Sequence, residues 1–170
     1  MSQDDRFYRN FVLQQGLPAL SPVTCRPLTA ALVFQPRVVA PLIVAATLLQ
    51  SAPFFFFLAV LQWWSALLPS LNPFDALYRL LSRWFPRAVS LPSAAPPRRF
   101  SMALAGAFAA FTSLAIHQGW LTIAYTLEGF LLVAVTAVAL GRFCFGSFLY
   151  YLSHGEGDFA HRTLPWGRGV

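Results

Sequence analysis

Lysine is absent from this 170-residue sequence; all 12 basic residues are arginine. That absence closes off a phosphate-binding loop, and glycines 155, 157, 167 and 169 follow no expected strand. Cysteine is scarce: Cys25 and Cys144 are too few for a disulfide framework. Histidine is scarce too, and the gaps of seven and ten residues linking His161, His154 and Cys144 match no compact zinc pattern. No serine, histidine and aspartate fall together in one aqueous compartment, so no hydrolase triad is expected. Charge is the largest deficit, 11% of residues against about 25% in globular proteins. Such a composition excludes a disordered chain or a coiled coil, both of which rely on charge for solvation.

What is present is apolar: 57% hydrophobic residues, with 17 Phe and 5 Trp, and a mean hydropathy of +0.58. A soluble domain of this length could not hide that much apolar surface, so the composition predicts an all-α integral membrane protein. The net charge of +6 raises the question of nucleic acid. The arginines flank apolar runs rather than alternating with polar groups along a groove. That arrangement suits anionic lipid headgroups, and no nucleic-acid partner is expected.

Residues 1–36 read as an N-terminal segment on the cytoplasmic side. Ser2 to Asp5 resembles a helix cap, Phe7, Tyr8, Phe11 and Val12 share a face, and Gly16 can stop the helix. This piece is expected either to lie on the membrane or a partner, or to fray. Residues 17–36 carry four prolines and read as an irregular connector. No cleavable signal pattern is visible, so insertion is expected to rely on internal helices.

Residues 37–152 read as a four-helix transmembrane bundle made of two hairpins. The stretch 38–71 has no charge and is divided at Pro53, which predicts helices over 38–50 and 54–68. Each is shorter than the roughly 20 residues of a full crossing, so extension into flanking residues or a partly re-entrant pair stays open. Asn72-Pro73 starts an amphipathic interfacial helix over 73–85. Phe74, Leu77, Tyr78, Leu81, Trp84 and Phe85 form its apolar face; Asp75, Arg79, Ser82 and Arg83 take the other. Third and fourth helices are expected over 100–117 and 120–140, turning at Gln118-Gly119, with 143–152 continuing the fourth. Ala103 and Ala107, like Gly106 and Ala110, are four apart, a spacing that permits close helix packing. Trp63, Trp64, Trp84 and Trp120 read as interface anchors. Residues 153–170 read as a polar tail.

Charge predicts orientation. Four arginines precede the first helix, three follow the fourth, and Arg79, Arg83, Arg87, Arg98 and Arg99 lie between the hairpins as lipid-headgroup contacts; the hairpin tips have none. The positive-inside rule then places both termini and the central loop in the cytoplasm of a bacterium, with the domain in its inner membrane.

Ala95-Pro96-Pro97-Arg98-Arg99-Phe100 before the third helix and Arg142-Phe143-Cys144-Phe145-Gly146-Ser147-Phe148-Leu149-Tyr150 after the fourth carry a resemblance. Together they resemble a bacterial family of small four-helix membrane domains with no assigned function. Its members show Pro-x-Arg-Phe and Phe-Cys-x-Gly-Cys-x-x-Tyr at these places. Cys25-Arg26-Pro27-Leu28-Thr29, Gln35-Pro36-Arg37-Val38-Val39 and Asn72-Pro73-Phe74 are similar to the family's earlier landmarks, in the right order, over residues 25–152. Ser147 stands where the family has its second cysteine, so the dithiol chemistry that the motif implies cannot close here.

Three residues invite chemistry. Cys144 is a monothiol nucleophile or a small buried apolar side chain. Its pairing with Cys25 is disfavoured in a reducing compartment. Glu128, about 12 Å into its span at 1.5 Å per residue, is an intramembrane acid and by default a functional candidate. The alternative is a carboxyl packed on Thr112 or Ser113. His117 is a metal or pigment ligand, or simply a polar helix end. No metal site and no cofactor are predicted, while bound lipid, quinone or pigment is compatible with the spans. Two functions follow: a non-catalytic accessory subunit that packs against other membrane subunits and lipids, with a photosynthetic or respiratory complex as host, or a membrane thiol-redox protein acting through Cys144.

Overall fold

The computed structural model describes residues 3–18, 21–84 and 89–167, and every regular element among them is helical. Helix α1 (Gln3–Gln14) places Asp4 and Asp5 in its first turn, where the helix dipole favours them. It ends at Gly16, with φ +79°. A Cβ there would also lie 2.9 Å from Pro97 Cδ, so this position needs glycine both for the turn and for the close approach.

The stretch expected to be an irregular connector is largely helix α2 (Pro22–Leu32). Pro22 occupies the first turn, where no amide hydrogen is needed, and only Pro27 removes an interior bond. Burial offsets that loss: Cys25, Leu28 and Leu32 pack against Phe11 and Val12 of α1. Helix α3 (Phe34–Leu48) follows through Val33, whose backbone is itself in the right-handed helical region, so Val23–Leu48 forms one apolar run of 26 residues. The first span thus begins well before residue 38. Leu49 and Gln50, the latter at φ +44°, reverse the chain, and the Ser51 hydroxyl accepts the Phe54 amide at the start of α4 (Ala52–Leu67).

A 3-10 turn (Pro69–Leu71) leads to α5 (Pro73–Ser82), capped by the Asn72 side chain. This helix stops short of residue 85; Phe85 and Arg87 lie outside the described residues. Its faces also differ from the sequence reading. Asp75, assigned to the outer polar face, is buried, while Leu77 and Leu81 of the apolar face lie on the surface. Helix α6 (Pro96–His117) starts four residues early because Pro96 and Pro97 suit a first turn. It turns at Gln118 and Gly119 into α7 (Leu121–Ala139). The next stretch does not continue α7. Arg142 adopts φ +49°, the Phe143 amide bonds Ala137 O, and the chain folds back as α8 (Phe145–Ser153) against α6. A short α9 (Gly157–Arg162) lies within the expected tail.

Val23–Leu48, α6 and α7 are each long and apolar enough to cross a membrane. Helix α4 has 16 residues and spans about 24 Å, short of a hydrocarbon core about 30 Å thick. One core unites α3, α4, α6 and α7 around Val39, Ile43, Phe55, Leu58, Ala109 and Leu131. The most extensive pairing is α4 on α6. There the Trp63 indole lies over Gly106 and donates to Ala103 O at 3.2 Å. A Cβ on Gly106 would fall 2.6 Å from Trp63 Cδ1, whereas one on Gly129 would meet nothing within 4 Å. Replacing Gly106 by Leu is therefore expected to cost about 1–3 kcal/mol by overpacking. Gly129→Ala should leave stability unchanged or raise it by up to about 1 kcal/mol. Thermal unfolding in detergent micelles, followed by far-ultraviolet circular dichroism, reads both.

Candidate functional site

At the end of the bundle where α3 and α6 begin, five polar side chains are buried together: Gln35, Ser65, Asn72, Asp75 and Arg98. The Arg98 guanidinium donates to Asp75 Oδ1 at 3.1 Å and to Gln35 Oε1 at 3.3 Å. Gln35 Nε2 donates to Gln62 Oε1 at 3.0 Å, and the Ser65 hydroxyl lies 3.0 Å from Asn72 Oδ1. Because Asn72 also caps α5, one network joins α3, α4, α5 and α6. Arg98 therefore makes no headgroup contact, contrary to the sequence reading. Its neighbour Arg99 is exposed and donates from Nε to Ala66 O at 2.8 Å; Arg79 and Arg83 are exposed on and just after α5.

A second cluster forms where α8 meets α6. The Cys144 thiol is 3.2 Å from Ser101 Oγ, which lies 3.0 Å from Ser147 Oγ. Gly146 permits this, since a Cβ on it would sit 2.7 Å from Ser101 Cα. The Cys144 amide is held by Gln14 Oε1 at 2.9 Å, tying α1 to the same corner. Nearby, burial, followed by the charges of Glu156 and Tyr150, pushes the Tyr151 phenol up to about 12; its hydroxyl faces Leu13 O at 3.4 Å. Cys25 lies in the separate α1–α2 core, and the two cysteines form no disulfide.

At the opposite end, Glu128 is 2% exposed, and both its oxygens accept from Gln50 Nε2 at 3.1 Å. The expected alternative partners, Thr112 and Ser113, instead bond Phe108 O and Ala52 O. Glu128 thus bridges one hairpin turn to the other hairpin's second helix. His117 and Trp120 are exposed at the second turn. Trp64 donates to Leu71 O, and Trp84 is 83% exposed just past α5. Ala107 and Ala110 are half-buried on α6 beside Gly106. No group of three His, Cys, Asp or Glu side chains that could hold a metal occurs among the described residues.

From the Arg98 and Cys144 end a cavity of about 430 Å³ runs toward the middle of the bundle, lined by α3, α4, α6, α7 and α8. Its walls are apolar, with Ile43, Leu58, Phe108 and Leu131 prominent. Its polar positions are Gln15, Gln35, Gln62, Arg98, Ser101 and Cys144. The glutamines and Ser101 escaped the sequence reading. The available signal was an amide inside an otherwise apolar run, as at Gln35 and Gln62.

Residues 30–154 match the family model described as Domain of unknown function (DUF4395). The chain belongs to that family. The DUF4395 match takes in α3 through α8 and therefore the core, the Arg98 network, the Cys144 corner and nearly all of the cavity wall. Helices α1 and α9 lie outside it. No curated protein and no solved structure matches the chain.

Breaking the Arg98–Asp75 pair should be costly, because it leaves a guanidinium buried without a counter-charge. Asp75→Ala is expected to lose about 3–5 kcal/mol of stability, whereas Asp75→Leu combined with Arg98→Met should recover most of it. Denaturant unfolding of the purified variants in micelles compares them.

Proposed function

We propose that this chain is a non-catalytic accessory subunit of a larger bacterial inner-membrane complex. It would stabilise its host by helix packing and lipid contacts, with a photosynthetic or respiratory assembly as the expected host. What supports this reading is the way polar chemistry is spent inside the fold. Glu128 is held by Gln50, Arg98 by Asp75, and Cys144 by Ser101. Meanwhile Phe56, Phe57, Phe111 and Phe130 stand exposed on the outer faces of α4, α6 and α7. Aromatic surface of that kind suits lipid and neighbouring helices.

In this reading α3, α4, α6 and α7 make four crossings in two hairpins, α4 being completed by Leu68 and the following turn. Helix α5 lies in the headgroup plane, and the arginine-bearing end faces the cytoplasm with both termini. A reporter that is active only in the cytoplasm should work when fused after Val170 or inserted in 89–95. Activity of a periplasm-dependent reporter at either place would reverse the orientation.

A second reading rests on one observation, that Cys144 borders the cavity. There the thiol would be the working group of a membrane redox protein. Gentle detergent extraction, size separation and mass spectrometry of co-migrating proteins test the first reading. The expected result is migration within a larger assembly, unchanged by Cys144→Ser. Migration as a lone small protein would overturn it, and loss of cellular activity in Cys144→Ser with the assembly intact would favour the thiol.

A further inference from the structure

The cavity is as deep as one leaflet of a bilayer. Its α6 wall runs from Arg98 to Ala109, about 16 Å at 1.5 Å per residue, close to half of a hydrocarbon core about 30 Å thick. It starts at the arginine-bearing end and stops near the middle of the bundle. Its side is open: Phe130 and Val133 of α7 and Phe145 of α8 line it while being 61%, 70% and 50% exposed. Helix α8 packs more closely against α6 than against α7, so the mouth lies between α7 and α8 with α6 as its floor. With α6 and α7 crossing a membrane, that mouth faces lipid.

Vacuum, water and hydrocarbon compete for such a space. Left empty, the walls forfeit the contacts that close packing supplies. Water needs several polar partners, and the polar side chains along the wall are already engaged: Gln35 with Gln62, Arg98 with Asp75, Ser101 with Ser147, and Cys144 with Ser101. The Gln15 amide nitrogen has no partner, but it is buried away from the cavity surface. Hydrocarbon alone matches the rest of the wall, which is made by Val39, Ile43, Leu58, Leu104, Leu131 and Ala134 among others. The same pairing of the polar groups decides what a ligand's headgroup can do. Arg98 is neutralised by Asp75 at 3.1 Å, so no free charge waits inside for a phosphate or a carboxylate.

We propose that this cavity takes up an acyl chain of a lipid from the leaflet at the arginine-bearing end, entering between α7 and α8 and leaving its headgroup outside. The site rests on the membrane placement given above and needs neither a partner protein nor the accessory role. Since the chain leaves one hydrocarbon surrounding for another, shape and contact hold it rather than a hydrophobic drive. Recognition therefore follows the chain and ignores the head.

Isothermal titration of the purified full-length protein tests this in digitonin, a detergent without an alkyl chain. The ligands are palmitoyl lysophosphatidylcholine, palmitoyl lysophosphatidylglycerol and caproyl lysophosphatidylcholine. Both palmitoyl lipids should bind saturably and within about twofold of each other, and the caproyl lipid at least about tenfold more weakly. Ala134→Phe, which fills the cavity from α7, should abolish binding while the ligand-free protein still unfolds cooperatively. If that variant does not fold, the comparison of chain lengths in the unaltered protein decides alone. Absence of saturable binding, equal affinity for the caproyl lipid, or undiminished binding to a folded Ala134→Phe protein would each overturn the proposal. So would a tenfold preference for the anionic head, which would move recognition to the exposed arginines. None of these outcomes depends on whether the protein migrates in an assembly.

Discussion

The buried Arg98–Asp75 pair is the constraint around which one end of this molecule is arranged. A guanidinium removed from water loses several kcal/mol of hydration, and it is tolerated only where a counter-ion and further acceptors surround it. Asp75 comes from α5 and Gln35 from α3, and Asn72 at the start of α5 donates to Gln35, so meeting the needs of one arginine draws two helices onto α6. Helix α5 has a largely exposed apolar side, and it takes its position from this network together with Phe74, which is buried in the shared core.

Elsewhere the spans are held by shape. Apolar side chains gain little by leaving a hydrocarbon solvent for one another, so close approach and backbone acceptors replace the hydrophobic drive. Trp63 over Gly106 supplies both, a flat ring against a helix backbone and an indole hydrogen bond to Ala103 O. Ser113 does the same on a smaller scale at the far end, where its hydroxyl reaches Ala52 O at 2.7 Å. The Glu128–Gln50 contact is the polar counterpart at that end. The two hairpins are therefore joined both near their turns and near their roots.

Much of the helical layout was legible because uncharged runs and turn signals are strong in a chain with so few charges. The breaks at Leu49–Ser51 and at Gln118-Gly119 fall where the pattern changes. Proline misled. Pro22 and Pro36 read as connector and Pro96 and Pro97 as preceding the third helix, yet each sits in a first turn, where the missing amide hydrogen costs nothing. The reversal after α7 is marked in the sequence by a single Gly141 alone. It depends on Arg142 taking a left-handed backbone and on Gln14, some 130 residues away, accepting the Cys144 amide. Long-range partners of this kind also hid the cavity's polar end. Arg98 read as one arginine of a headgroup cluster because its acid lies on another helix, and Asp75 was assigned to the wetted face for the same reason.

The Asn10 side-chain amide donates to the carbonyl oxygen of Leu164 at 3.0 Å and reaches those of Arg162 and Gly167 at 3.4 Å. These acceptors lie beyond every span in chain order, 154 residues along in the case of Leu164. Helix α1 can meet α2, Pro97 and the Cys144 amide as those segments form, but Asn10 is satisfied only once the residues after α9 are in place. The face bearing Phe11 and Val12 is covered meanwhile by α2 and by Leu91 and Val138, so the apolar seat of α1 can form before its polar latch closes.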